Sequence, residues 1–108
     1  MAKRSRRIHE RKAEVFKAMG HPLRVAMVEF LGRGEQCVCD IAERVGSSQS
    51  NASRHLAVLH RAGIVRCRQD GLHRLYSLSA PCVLSFMACV SDVLKERMSG
   101  DAAALRSL

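Results

Sequence analysis

The chain has 108 residues, 47% of them hydrophobic and 26% charged, with a formal net charge of +8. That length suits one domain with a modest core, and the apolar content excludes an intrinsically disordered chain. No apolar run is long enough to span a bilayer and no secretory apolar region follows the basic start, so the expected setting is the cytoplasm, with no membrane partner.

Residues 1–7 read as a flexible basic arm, residues 8–98 as the folded domain and residues 99–108 as a weakly patterned tail. Ile8, Val15, Phe16 and Met19 fit the stripe of a first helix, which Gly20 stops. His21 is read as a turn residue, and Pro22 suits the first turn of a second helix carrying Leu23, Met27, Phe30 and Leu31 on one side. Cys37 to Val45 reads as a short third helix with Ile41 and Val45 inward. Gly46 closes it. Ser47 or Ser48 then caps a fourth helix, in which Ala52, Leu56 and Leu59 form the apolar face and Gly63 ends the run. Its other face opens with Ser48, Gln49, Ser50, Asn51, Ser53, Arg54 and His55, short polar and basic groups without a carboxylate. A short helix, a tight turn and a second helix with a polar front is the helix-turn-helix pattern, and such a front can read base edges in a DNA major groove.

After Gly63, two β-rich runs flank Asp70-Gly71, a strong hairpin signal. Val65 and Cys67 share one strand face, with Cys67 read as core. Leu72, Tyr76 and Leu78 share a face of the second strand with Arg74 between them, and His73 lies on the other. This hairpin is a wing, able to touch DNA with Arg68, His73 and Arg74. Pro81 opens a last helix to about Met98, whose first half is apolar nearly all round. Such a helix needs a partner surface, most simply a second copy of itself. The fold class is therefore mainly α with a two-stranded wing: a winged helix-turn-helix of about five helices, paired as a homodimer through its first and last helices.

Charge placement supports a polyanion partner. Residues 1–12 carry a net +5 and residues 44–74 a net +5, residues 13–43 carry −2, and the remainder balances. Arginine and lysine clustered on the arm and around the fourth helix would release counterions from phosphates. With one Tyr, three Phe and no Trp, a base-stacking platform for single strands is poorly supplied, so duplex DNA is the expected nucleic acid.

Residues from about Phe16 to Leu78 resemble the ArsR/SmtB family of metal(loid)-responsive winged-helix repressors. The resemblance is carried by HPLR at 21–24, CVCDIAE at 37–43, SQSNASRHLAVLHRAGIV at 48–65 and the wing ending LHRLYSLS. It implies a homodimer that binds an imperfect palindromic operator and leaves it when an inducer binds. The two reading helices of such a dimer lie about 34–36 Å apart, in successive major grooves.

Five cysteines without framework spacing point to reduced thiols rather than disulfides. Cys37 and Cys39 are the leading inducer ligands, since soft thiolates select As(III), Sb(III), Cd(II), Pb(II), Zn(II) or Cu(I). As(III) is the first choice of inducer, with no organic cofactor. On an ideal helix their side chains diverge by about 200°, so both can hold one ion only at a loosened helix start near Gln36 and Cys37. The third cysteine of the family's arsenical sensors is replaced here by Ala42, and the arm offers His9 where the cadmium and lead sensors have cysteines. Cys82 and Cys89 share a face of the last helix and form a second candidate pair, with interface packing as their plainer reading. The family's zinc site on that helix lacks its histidine here and retains only Asp92. Alternatives are a repressor of the same fold sensing Cd, Pb, Zn or persulfide, a structural-zinc module, and a small thiol enzyme. No redox Cys-x-x-Cys, phosphate loop or acid-base constellation supports the last, and a non-enzyme is expected.

Overall fold

The computed structural model describes residues 2–98; the expected tail at 99–108 lies outside the described residues. The elements run α1 (Lys3–Met19), α2 (Pro22–Leu31), β1 (Gln36–Cys37), α3 (Val38–Val45), α4 (Gln49–Arg61), β2 (Val65–Asp70), β3 (His73–Leu78) and α5 (Cys82–Arg97). This is the expected winged helix-turn-helix, with five helices and an antiparallel hairpin. No described helix is long and apolar enough to cross a membrane.

Local chemistry sets the helix ends. His21 caps α2, its Nδ1 accepting the Leu23 N–H at 3.1 Å, and Pro22 occupies the first turn where no amide is needed. Ser48 caps α4, its Oγ accepting the Asn51 N–H at 3.2 Å. Between α3 and α4 the chain turns through Gly46 at φ 68°. The Gly46 N–H donates to the Glu43 carbonyl at 3.2 Å and the Ser47 N–H to the Ala42 carbonyl at 2.9 Å. These two bonds satisfy two of the last four carbonyls of α3 and help fix the angle at which α4 leaves.

The core gathers one stripe from each of α2, α3 and α4. Met27, Val28 and Leu31 meet Ile41 and Ala42, and these meet Ala52, Leu56 and Leu59, with Ile64, Val65 and Tyr76 closing the floor. α5 contributes no fully buried residue. Phe86, Val90, Val93 and Leu94 on α5 and Ile8, Val15 and Phe16 on α1 are exposed in the protomer. Phe16 and Phe86 pack edge to face, ring centroids 5.7 Å apart, so the two helices present one continuous apolar surface.

Three features differ from the sequence reading. The first helix begins at Lys3, so most of the expected arm is helical. Lys, Arg and Glu are good helix formers, and Arg6 lies 3.7 Å from Glu10 one turn on. The sheet has three strands in the order β1-β3-β2. Gln36 and Cys37, expected at the start of the third helix, are extended and pair with Tyr76 and Leu75 of β3. The hairpin closes around Gly71-Leu72, with Asp70 paired to His73. Gly71 has φ 62° and no described non-glycine residue has positive φ, the type II′ pattern. Leu72 therefore sits in the loop, 98% exposed, and not on the strand face of Tyr76 and Leu78.

A Cβ on Gly46 would meet nothing within 4 Å, so Gly46→Ala should cost only the left-handed backbone penalty, about 1–2 kcal/mol. A domain of this size then loses roughly 4–8 °C in Tm for each kcal/mol. Thermal denaturation at fixed protein concentration checks this, and an unchanged Tm would show that the turn is not held in this conformation.

Candidate DNA-reading face and thiol site

Three side chains prepare the front of α4. The Asn51 Nδ2 donates to Ser47 Oγ at 3.0 Å, and Arg54 Nη2 donates to Asn51 Oδ1 at 3.2 Å. Asn51 thus ties the turn before α4 to the guanidinium one turn later. Ser48, Gln49, Ser50 and Arg54 are exposed, while Asn51 and Ser53 are half-buried. Ser50, Ser53 and Arg54 lie across α4 from buried Ala52, Leu56 and Leu59, with Asn51 beside them and Ser48 and Gln49 at the helix entrance.

His55 does not share that face. Its Nδ1 lies 3.0 Å from Arg24 Nη1, and its ring stacks at a tilt on His21 with centroids 4.4 Å apart. Because a guanidinium only donates, His55 Nδ1 must be the unprotonated acceptor. Arg24 also donates through Nε to the Ala18 carbonyl at 2.6 Å, so one guanidinium joins the end of α1 to α4. His55, expected on the polar front of α4, is thus engaged through Nδ1 in an inter-helix bond. Burial holds the His55 pKa below its ordinary value, and the charges of His21, Arg24 and Arg54 push it the same way.

The wing residues divide. Register pairs Arg68 with Leu75, Gln69 with Arg74 and Asp70 with His73, which places Arg68 and His73 on one face and Arg74 on the other. All three are exposed. Arg68 is also held internally: its Nε and Nη2 donate to the two oxygens of Glu35, each at 2.7 Å. That bidentate bond holds the Glu35 carboxyl below its usual pKa and raises that of Arg68. Cys67 lies half-buried opposite Tyr76 and packs against the core, as expected.

Cys37 and Cys39 converge. Cys37 is not helical: its backbone is extended at φ −80°, ψ 157°, and it caps α3, its Sγ accepting the Asp40 N–H at 3.4 Å. The divergence of an ideal helix therefore does not apply, and the geometry is the loosened start that the spacing demanded. The two sulfurs and a carboxylate oxygen of Asp40 lie within 4.8 Å of one another. Both cysteines are half-buried and Asp40 is exposed. The bond to Cys39 pushes the Cys37 thiol pKa up, burial adds to it, and the Asp40 N–H opposes it. Asp40 is a ligand candidate that the cysteine spacing did not single out; its only signal was adjacency to Cys39. Ala42, where a third cysteine would stand, is buried in the core. Cys82 and Cys89 are exposed on α5 and do not belong to this cluster.

Comparison with known proteins is consistent across sequence and structure. Residues 21–66 match the pattern of bacterial regulatory proteins of the arsR family. An uncharacterised HTH-type transcriptional regulator of Mycobacterium tuberculosis, Rv0081, is 36% identical over 102 residues, covering 94% of this chain and 90% of that one. The arsenic resistance transcriptional regulator ArsR1 of Pseudomonas putida is 35% identical over 98 residues, covering 87% and 77%. Among solved structures, a homodimeric winged helix-turn-helix DNA-binding domain of Mycobacterium bovis superposes with a TM-score of 0.81 at 26% identity, covering 94% of each chain.

The His55 environment sets a pH dependence of stability. The folded pKa lies below the ordinary 6.5, so the unfolded chain takes up this proton first as pH falls. Stability from this group is complete above about pH 6.5 and is lost as pH drops toward the folded pKa. His55→Gln, which keeps an acceptor for Arg24 but cannot titrate, should reduce the fall in Tm between pH 7.5 and 5.5. Equal falls in both proteins would assign the dependence elsewhere.

Proposed function

The chain belongs to the arsR family of bacterial regulatory proteins and is a winged-helix transcriptional repressor; from that premise we propose that a thiophilic inducer captured by Cys37 and Cys39 releases it from its operator. The observation that carries this reading is the meeting of two sulfurs with the Asp40 carboxylate at the N-terminus of α3, one tight turn ahead of α4. Cys37 Sγ is the helix cap. An ion that takes this sulfur removes the cap bond to Asp40 and pulls on the helix that sets the angle of α4. Release needs a coupling free energy of only about 1–3 kcal/mol or more between inducer and DNA.

The donor set fits a soft ion held by two thiolates, with Asp40 able to add an oxygen. The first choice of inducer is As(III), in keeping with the arsenic-resistance relative. The carboxylate supports a second reading, Cd(II) or Zn(II), since a divalent cation accepts mixed sulfur and oxygen donors more readily. In either case the thiols must lose their protons, so capture strengthens as pH rises.

On the DNA side, the exposed front of α4 reads base edges through Ser48, Gln49, Ser50, Asn51, Ser53 and Arg54, while Arg68, His73 and Arg74 on the wing and the basic N-terminal turns of α1 meet phosphates. Two copies joined through the apolar surfaces of α1 and α5 bind a palindromic duplex site, and Cys82 and Cys89 serve that interface.

Two measurements test this reading. Asn51→Ala and Arg54→Ala should each weaken operator binding by about 1–3 kcal/mol while weakening random duplex less, because base contacts carry the discrimination. Fluorescence anisotropy on both DNAs decides it, and equal losses would contradict the assignment. The pair Cys37→Ser and Cys39→Ser together should bind operator normally yet resist release by arsenite. A double variant that is still fully released would move the site to Cys82 and Cys89.

A further inference from the structure

Cys37 occupies two structural roles at once. It is the N-cap of α3, and it is the second residue of β1, paired with Leu75 of β3. Leu75 in turn pairs with Arg68 of β2, so Cys37, Leu75 and Arg68 form one transverse row across the three strands. Arg68 then reaches across β3 to Glu35, two residues before Cys37, through a bidentate bond with both contacts at 2.7 Å. The segment Glu35-Gln36-Cys37 is therefore fastened to the wing at each of its three residues: by a carboxylate clamp at Glu35, by pairing with Tyr76 at Gln36 and by pairing with Leu75 at Cys37.

We propose that the wing is a second output of the thiol site, with Glu35 acting as the positioning residue that transmits displacement of Cys37 to Arg68. The proposal rests on the reading of Cys37 and Cys39 as inducer ligands. An ion drawing Cys37 Sγ toward Cys39 shifts the backbone that completes the wing sheet, and the Glu35 clamp shifts with it. A guanidinium fork binds a carboxylate in a fixed plane, so Arg68 cannot keep both contacts while Glu35 moves independently. Wing and α4 then leave their DNA-bound positions together. The clamp has a second consequence: Glu35 neutralises part of a basic wing, so its loss frees Arg68 toward phosphate and makes binding less dependent on the sensor segment.

The experiment uses the full chain, with arsenite and Cd(II) as probes, and reads the ratio of operator Kd with and without probe. Wild type should show a large ratio, and amide hydrogen exchange across residues 65–78 should rise when the probe binds. Glu35→Gln should lower the ratio by threefold or more. Arg68→Gln should lower it to the same extent, and the double variant no further, because the two side chains act as one contact. Glu35→Asp, which keeps the charge, should retain part of the ratio. A ratio unchanged in Glu35→Gln, or release of wild type with wing exchange unaltered, overturns the relay and leaves the thiol site standing. Failure of both probes to release wild type overturns the thiol reading and the relay with it. The ion pair is solvent-exposed, so neither substitution threatens the fold.

Discussion

The structure depends on the core shared by α2, α3 and α4, in which Met27, Ile41 and Leu56 are fully withdrawn from solvent. That core holds the reading helix at a fixed angle to the rest of the domain. Truncating one such side chain costs about 2–5 kcal/mol because close-packed neighbours cannot collapse into the space. Around it the polar bonds do the finer placing. Gly46 sets the turn, Ser48 closes the start of α4, and Arg24 ties His55 to the end of α1. The front of α4 is therefore presented by a rigid frame, which is what discrimination between base sequences demands.

A rigid frame needs a point of entry if a signal is to reach it, and on the reading proposed above that point is Cys37. A serine in its place would cap the helix as well or better, since hydroxyl oxygen is the stronger acceptor. A thiol cap is weaker, and its sulfur can leave the cap for a soft ion. Cys39 and Asp40 bring their ligand atoms within 4.8 Å of it, where the proposed capture would be completed. The same residue is part of the three-stranded sheet, paired with Leu75, so it adjoins both α3 and the wing.

Charge is arranged to suit this division of work. The front of α4 carries Arg54 with no carboxylate beside it, whereas residues 35–40 carry Glu35 and Asp40. Glu35 is silenced by Arg68, and Asp40 faces the thiols. Among the described residues, Ile8, Val15 and Phe16 of α1 and Phe86, Val90, Val93 and Leu94 of α5 stay exposed in the protomer, which suits the paired arrangement proposed above.

The sequence by itself determined the helix-turn-helix, the hairpin, the polar front of α4 and the two sulfurs of interest. Each is written in local signals: apolar residues at helical spacing, serine and glycine at helix ends, a glycine in a two-residue turn, and a close cysteine pair. Tertiary structure decided what local signals cannot encode. The pairing of Gln36 and Cys37 with β3 overrode the helical pattern that begins at Cys37, and only that extended backbone brings the two sulfurs and Asp40 to one point. The clamp between Glu35 and Arg68 and the inward turn of His55 toward Arg24 join residues 33 and 31 positions apart. No periodicity or spacing foretells such contacts, because they depend on how separate elements pack and on which neighbour then satisfies each buried or charged group.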